Sequence, residues 1–166
     1  IRKKYIPSLN NKINLLHTSC NLTKDILIRL GMKRDKICVI PLGVDLSVFK
    51  HYSPKTIQNI KDDLKIPKNK TIIGSFQKDG EGWQSGNEPK LIKGPDIFCD
   101  VIEKLSKKHD LHILLTGPAR GYVKNRLEKA GIPYTHKYLK NYLDIVKYYN
   151  VLDLYLITSR AEGGPK

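Results

Sequence analysis

The chain predicts an α/β fold, a Rossmann-like parallel sheet with helices on both faces, and three observations carry that reading. Apolar residues run almost without break through segments such as 71–76 and 111–116, as expected of strands buried on both sides. Those segments alternate with stretches whose apolar residues recur at helical spacing, Ile97, Phe98, Val101, Ile102 and Leu105 among them. Glycines sit at the strand ends, Gly74, Gly117 and Gly163, at the edge where open α/β sheets bind ligands.

The elements follow in order. Ile13, Leu15 and Leu16 mark a strand within 12–18, and Asn21 or Thr23 caps a helix with Leu22, Ile26, Leu27 and Leu30 inward, ended by Gly31. A second strand covers 37–41, a turn follows at 42–45, and Phe49 is an apolar anchor beyond it. Ser53-Pro54 caps and opens a helix through Ile57, Ile60 and Leu64, which stops before Pro67. Residues 66–70 look like a linker. Strands at 71–76, 111–116, 134–139 and 153–158 then alternate with helices at 95–108, 122–131 and 142–152. This gives three regions: 1–50 as the end of one Rossmann-like domain, 51–70 as a helix and interdomain linker, and 71–166 as the first part of a second such domain, cut short. The start, Ile1-Arg2-Lys3-Lys4-Tyr5, shows no h-region and reads as a cut from a longer chain.

Composition narrows the function classes. The 166 residues are 40% hydrophobic and 28% charged, with no apolar stretch near the roughly 18 residues of a spanning helix. Net charge is +14, and residues 1–70 hold 15 basic against 5 acidic side chains. Because 24 of the 30 basic residues are Lys, without Arg clusters or interleaved aromatics, sequence-reading of nucleic acid is not expected. A solvated basic face and a peripheral contact with anionic membrane both remain open. Cys20, Cys38 and Cys99 are an odd, widely spaced set inside apolar patterns, which reads as buried free thiols in a reducing, cytoplasmic setting with no metal site. The five histidines have no ligand spacing.

One connection is out of scale. About 18 residues separate Phe76 from Pro95 and include Gly80, Gly82, Gly86, Gly94 and the single Trp, Trp83. Such links usually run about two to six residues, so a long one at a strand's carboxyl end points to function. Lys93-Gly94 closes it before a helix start, where an ammonium can hold a phosphate as a point charge, or can be an ordinary surface lysine. Glu162 is either a first-turn helical acid or an acceptor for sugar hydroxyls. Trp83 stacks on a ligand or anchors its loop. Neither GxGxxG nor GxxxxGK[ST] occurs, so dinucleotide and P-loop chemistry are not supported.

Taken together, these runs resemble the retaining glycosyltransferases of the GT-B fold, the group that includes family 4. The resemblance lies in Leu16-His17-Thr18-Ser19 through Leu30-Gly31, Lys36 to Asp45, Ile73-Gly74-Ser75, Lys93-Gly94, Leu115-Thr116-Gly117-Pro118, and Tyr149, Asp153 and Ser159-Arg160-Ala161-Glu162-Gly163. It implies a UDP- or GDP-sugar donor on the rim of the second sheet and a glycan or lipid-linked acceptor, with no metal or other cofactor. Lys93 would neutralise the diphosphate. Gly74, Gly117, Gly163, Gly164 and Lys166 would line the nucleotide site, the last three through backbone N–H groups at a helix N-terminus. Glu162 matches the first Glu of the family's Glu-x7-Glu motif, whose second Glu would fall beyond Lys166. Where the family has Arg after the strand-end Gly this chain has Ser75, leaving Gln77, Lys78 or Lys90 as substitutes. By itself the chain is expected to bind donor weakly and to lack transfer. The alternatives are a non-catalytic nucleotide-sugar-binding module and a basic nucleic-acid- or lipid-binding domain.

Overall fold

The computed structural model describes residues 3–162, and these form two compact units: one runs to Asp45 and includes Glu162, the other is Leu46–Ala161.

In the first unit a short helix α1 (Ile6–Leu9) precedes strand β1 (Leu16–Thr18), helix α2 (Asn21–Arg29) and strand β2 (Ile37–Val39). The sequence reading has no element at α1. Strands β1 and β2 pair in parallel with Leu16 opposite Ile37. Ile6, Met32 and Ile37 form the buried centre, and Leu27, Ile28 and Leu30 of the α2 region pack on it. Lys36 Nζ donates to the carbonyls of Asn10 and Ile13. That lysine is therefore spent inside the unit rather than offered to a partner.

The second unit begins with helix α3 (Pro54–Asp63), capped by Ser53, whose hydroxyl accepts from the Thr56 amide at 3.2 Å. Next come β3 (Thr71–Ser75), α4 (Pro95–Leu105), β4 (Leu111–Thr116), α5 (Gly121–Lys129), β5 (Tyr134–Lys137), α6 (Ile145–Asn150) and β6 (Leu154–Tyr155). The four strands are parallel in the order β5-β4-β3-β6. All six residues of β4 are buried, because helices cover both faces.

Alternation along the strands sorts the two cores. Ile73, Leu111, Ile113 and Leu115 face Phe98, Cys99 and Ile102 of α4 and Val123 and Leu127 of α5. Ile72 and Leu114 face the other way, toward Ile57 and Ile60 of α3 and Tyr148 of α6. Helix α3, expected within a connecting segment, therefore packs on the second sheet, and Ile66 at its exit is buried. Removing the Phe98 side chain, which has no exposed surface, would cost about 3–5 kcal/mol.

The strand order sets the position of the site. From β3 the chain steps through β4 to β5 in one direction, then returns past β3 to place β6 on its other side. The order reverses between β3 and β6, and the crevice outside the carboxyl ends at such a reversal is the usual ligand position of open α/β sheets.

Candidate functional site

Two segments flank that reversal: the long connection leaving β3, and the chain leaving β6. A single 3₁₀ turn, Leu91–Lys93, ends the first, and Gly94 then takes a left-handed conformation (φ 64°) to start α4 at Pro95. A Cβ on Gly94 would run into the backbone carbonyl of Thr158, so glycine is required by the close approach as well as by φ. The exit from β6 is laced to this turn. Thr158 Oγ1 donates to Gly94 O at 2.8 Å and the Arg160 amide donates to Ile92 O at 2.9 Å. The Arg160 guanidinium forms a two-pronged pair with Asp96 at 2.8 and 2.5 Å and also donates to Leu91 O. Hydrogen bonds from Arg160 hold the Asp96 carboxyl down at about 2.

Gln77 joins the same assembly. Its Nε2 donates to Lys93 O at 2.9 Å, and its Oε1 lies 3.2 Å from Ser159 Oγ. The carboxamide is thus engaged on both sides and bridges the two segments.

The long connection is ordered by its own backbone. Lys90 N donates to Asp79 O and Glu81 N to Glu88 O, both at 2.8 Å, with Gly80 and Pro89 bridged antiparallel. Its far end seals the start of α5: Gly121 N donates to Ser85 O at 2.7 Å and Tyr122 N to Gly86 O at 2.8 Å. Those helix-start amides, an anion site by default, are consumed by the loop. At its tip Trp83 is 80% exposed with Lys78 Nζ 3.9 Å from the ring centroid, so it does not anchor the loop in a core.

Beneath the rim lies a pair that the sequence reading omits. Arg120 has a fully buried side chain that donates to the carbonyls of Ser75 (2.8 Å), Gln77 (2.6 Å) and Thr116 (3.1 Å) and to Ser75 Oγ (3.1 Å). Its Nε lies 3.1 Å from Asp79 Oδ1, an ion pair without hydrogen-bond alignment, and neither Asp79 oxygen has an aligned donor from another side chain. Burial pushes the Asp79 carboxyl up to about 6 against the pull of Arg120. The guanidinium ties together the carboxyl ends of β3 and β4, where carbonyls would otherwise be buried without donors. The only sequence signal for it is an arginine two residues after Gly117-Pro118.

Among the glycines, Gly74 sits one residue inside the end of β3, and a Cβ there would overlap the Leu152 methyls, so its absence serves packing directly. Gly117 ends β4 with φ 87°, and its carbonyl is 2.8 Å from His136 Nε2. Glu162 is grouped with the first unit. Gly163, Gly164 and Lys166 lie outside the described residues. Of the thiols, Cys99 alone is buried, with its pKa raised to about 12 by burial, while Cys20 and Cys38 are half-buried. Phe76, Tyr149 and Tyr155 pack tilted or edge-on, with ring centroids 5.0–5.3 Å apart, beside the strand ends. A cavity of about 340 Å³ opens between Phe49, His51, Tyr149 and Asn150, and none of Gln77, Lys93 or Ser159 lines it. Among the described residues no cluster of His, Cys, Asp or Glu is placed to hold a metal, and no helix is long and apolar enough to cross a membrane.

The parallel sheets flanked by helices match the fold of GT-B glycosyltransferase domains. HepE of Anabaena, solved with UDP-glucose, matches with a TM-score of 0.73 at 19% identity over 98% of this chain and 44% of that one. A glycosyltransferase of Rickettsia africae matches at 0.71 and 23% identity, over 95% of this chain and 41% of that one. Sucrose-phosphate synthase of Thermosynechococcus elongatus matches at 0.75 and 14% identity, over 99% and 39%. The chain therefore spans less than half the length of these structures. No protein-family model and no curated protein sequence matches it.

Proposed function

We propose that this chain is part of a retaining, family 4-like glycosyltransferase that moves a sugar from a UDP- or GDP-sugar to a glycan or lipid-linked acceptor without a metal. The observation that carries the reading is the lacing of the Lys93-Gly94 turn to the Thr158–Arg160 exit at the reversal of strand order, because it gives the rim a fixed ammonium-bearing turn. The solved complexes of HepE with UDP-glucose, with UDP and with UDP plus glucose support the donor class.

In this reading the Lys93 ammonium takes up the charge that develops on the diphosphate as the anomeric C–O bond breaks. Backbone amides of Gly163, Gly164 and Lys166 bind the same group, and Gly74 and Gly117 shape the strand ends beneath it. Glu162, two residues beyond Arg160, holds hydroxyls of the transferred sugar. The acceptor hydroxyl attacks from the face the diphosphate leaves, and its proton passes to the departing phosphate oxygen, so configuration is retained. Fixed positive charge does the work that a metal ion does in other transferases. The Gly121 and Tyr122 amides at the start of α5 are consumed by the loop, which is consistent with a diphosphate bound elsewhere on the rim. The work is assigned to the cytoplasm, at the membrane periphery where the acceptor is lipid-linked.

The test is transfer by the protein that carries this chain, screened with UDP-, GDP- and ADP-sugars. Lys93→Ala and Glu162→Ala are each expected to lose on the order of a hundredfold in kcat/KM or more. Unchanged rates in both variants would remove the assignment.

A further inference from the structure

We infer that Gln77 is the positioning residue of the donor site, its carboxamide setting the spacing between the Lys93 turn and the exit from β6 at Ser159. This rests on the reading above but is carried by a separate set of contacts. Gln77 is the second residue past β3, and its backbone carbonyl is held at 2.6 Å by the buried Arg120, so the side chain projects from a fixed root. From there Nε2 reaches Lys93 O at 2.9 Å and Oε1 reaches Ser159 Oγ at 3.2 Å. The orientation of the amide follows from chemistry: a carbonyl accepts only, so Nε2 must face Lys93 O, and the hydroxyl of Ser159 can donate to Oε1.

Gln77 reaches both segments at the level of Lys93. Thr158 and the Arg160 amide fix Gly94 and Ile92 directly, and Arg160 grips Leu91 and Asp96. Those ties keep the two segments together when Gln77 is lost. What Gln77 adds is the carbonyl of Lys93 itself, and with it the direction in which that residue's stem leaves the turn. An ammonium displaced by about 1 Å from the diphosphate is enough to cost one to two orders of magnitude in rate. Gln77 therefore acts through Lys93 and touches no reacting atom.

The experiment compares wild type, Gln77→Ala, Gln77→Glu and Ser159→Ala in the protein that carries this chain. Four readouts are taken: UDP binding by calorimetry, transfer kinetics, amide hydrogen exchange of 91–94 and 158–160 without ligand, and the melting temperature. Gln77→Ala is expected to bind UDP about tenfold more weakly and to lose more in kcat than in KM, with exchange faster in both segments and an unchanged melting temperature. Gln77→Glu keeps the shape but cannot donate to Lys93 O, so it should fall at least as far. Ser159→Ala, which removes one end of the bridge, should show a smaller loss in the same direction. If wild type binds UDP and the Gln77 variants bind equally well, Gln77 does not position the site and the donor reading survives. If wild type binds no nucleotide, the donor reading fails, and unchanged exchange in Gln77→Ala would overturn the bracing role independently.

Discussion

Arg120 and Asp79 show how much one buried charge organises. The guanidinium is surrounded by carbonyls from Ser75, Gln77 and Thr116, and its counter-charge is an Asp79 carboxylate that is itself poorly served by donors. Removing one member leaves the other buried alone, so Arg120→Met is expected to cost about 3–5 kcal/mol in denaturant unfolding. Asp79→Leu combined with Arg120→Met should recover part of that loss, since a dry apolar pair replaces two desolvated charges. A double variant no more stable than Arg120→Met would show that the carbonyl ties, and not the charge, make the residue necessary. The pair also explains a limit of the sequence. Arginines are exposed by default, and nothing in Thr116-Gly117-Pro118-Ala119-Arg120 announces that this one turns inward. The helix start after Lys93, by contrast, is legible, because Gly94 and Pro95 mark it in the sequence.

At the scale of elements, the strands and main helices were readable from periodicity, since burial on both faces of β4 leaves an unbroken apolar run. Their ends were not. The helix read as 142–152 is a 3₁₀ turn and then Ile145–Asn150, and the strand read as 153–158 pairs only over Leu154–Tyr155. Beyond Leu156 the backbone leaves the sheet toward the side chains of Gln77 and Asp96 and the carbonyls of Leu91, Ile92 and Gly94, which lie 64 to 82 residues away in sequence and leave no local signal. The same tertiary ties make the exit from β6 sensitive to acid. Asp96 is held near 2 by Arg160, below its ordinary 3.8, so the folded state binds fewer protons and the contribution is present above pH 4 and lost as pH falls toward 2. Hydrogen exchange at 158–160 should accelerate between pH 4 and 2, after correction for intrinsic rates, and Arg160→Ala should exchange fast throughout. An exit segment equally protected at pH 5 and pH 2 would contradict the clamp.

Over the whole molecule, the parallel sheet and its alternation were legible, while the strand order was not, because a sequence of alternating strands and helices does not say on which side of β3 the last strand inserts. That insertion creates the reversal, and the reversal puts the β3 connection and the β6 exit side by side. Helix α3 shows the same limit: its amphipathic face was clear, but its partner, the sheet it covers, was not. The central claim is that this rim, with Lys93 on its turn, holds the diphosphate of a nucleotide-sugar. The direct measurement is calorimetric titration of the protein that carries this chain with UDP and GDP, against Lys93→Ala and the surface control Lys104→Ala. The account predicts one-to-one binding of one nucleotide, weakened about a hundredfold by Lys93→Ala and untouched by Lys104→Ala. Equal affinity in wild type and Lys93→Ala, or binding of neither nucleotide, would contradict it.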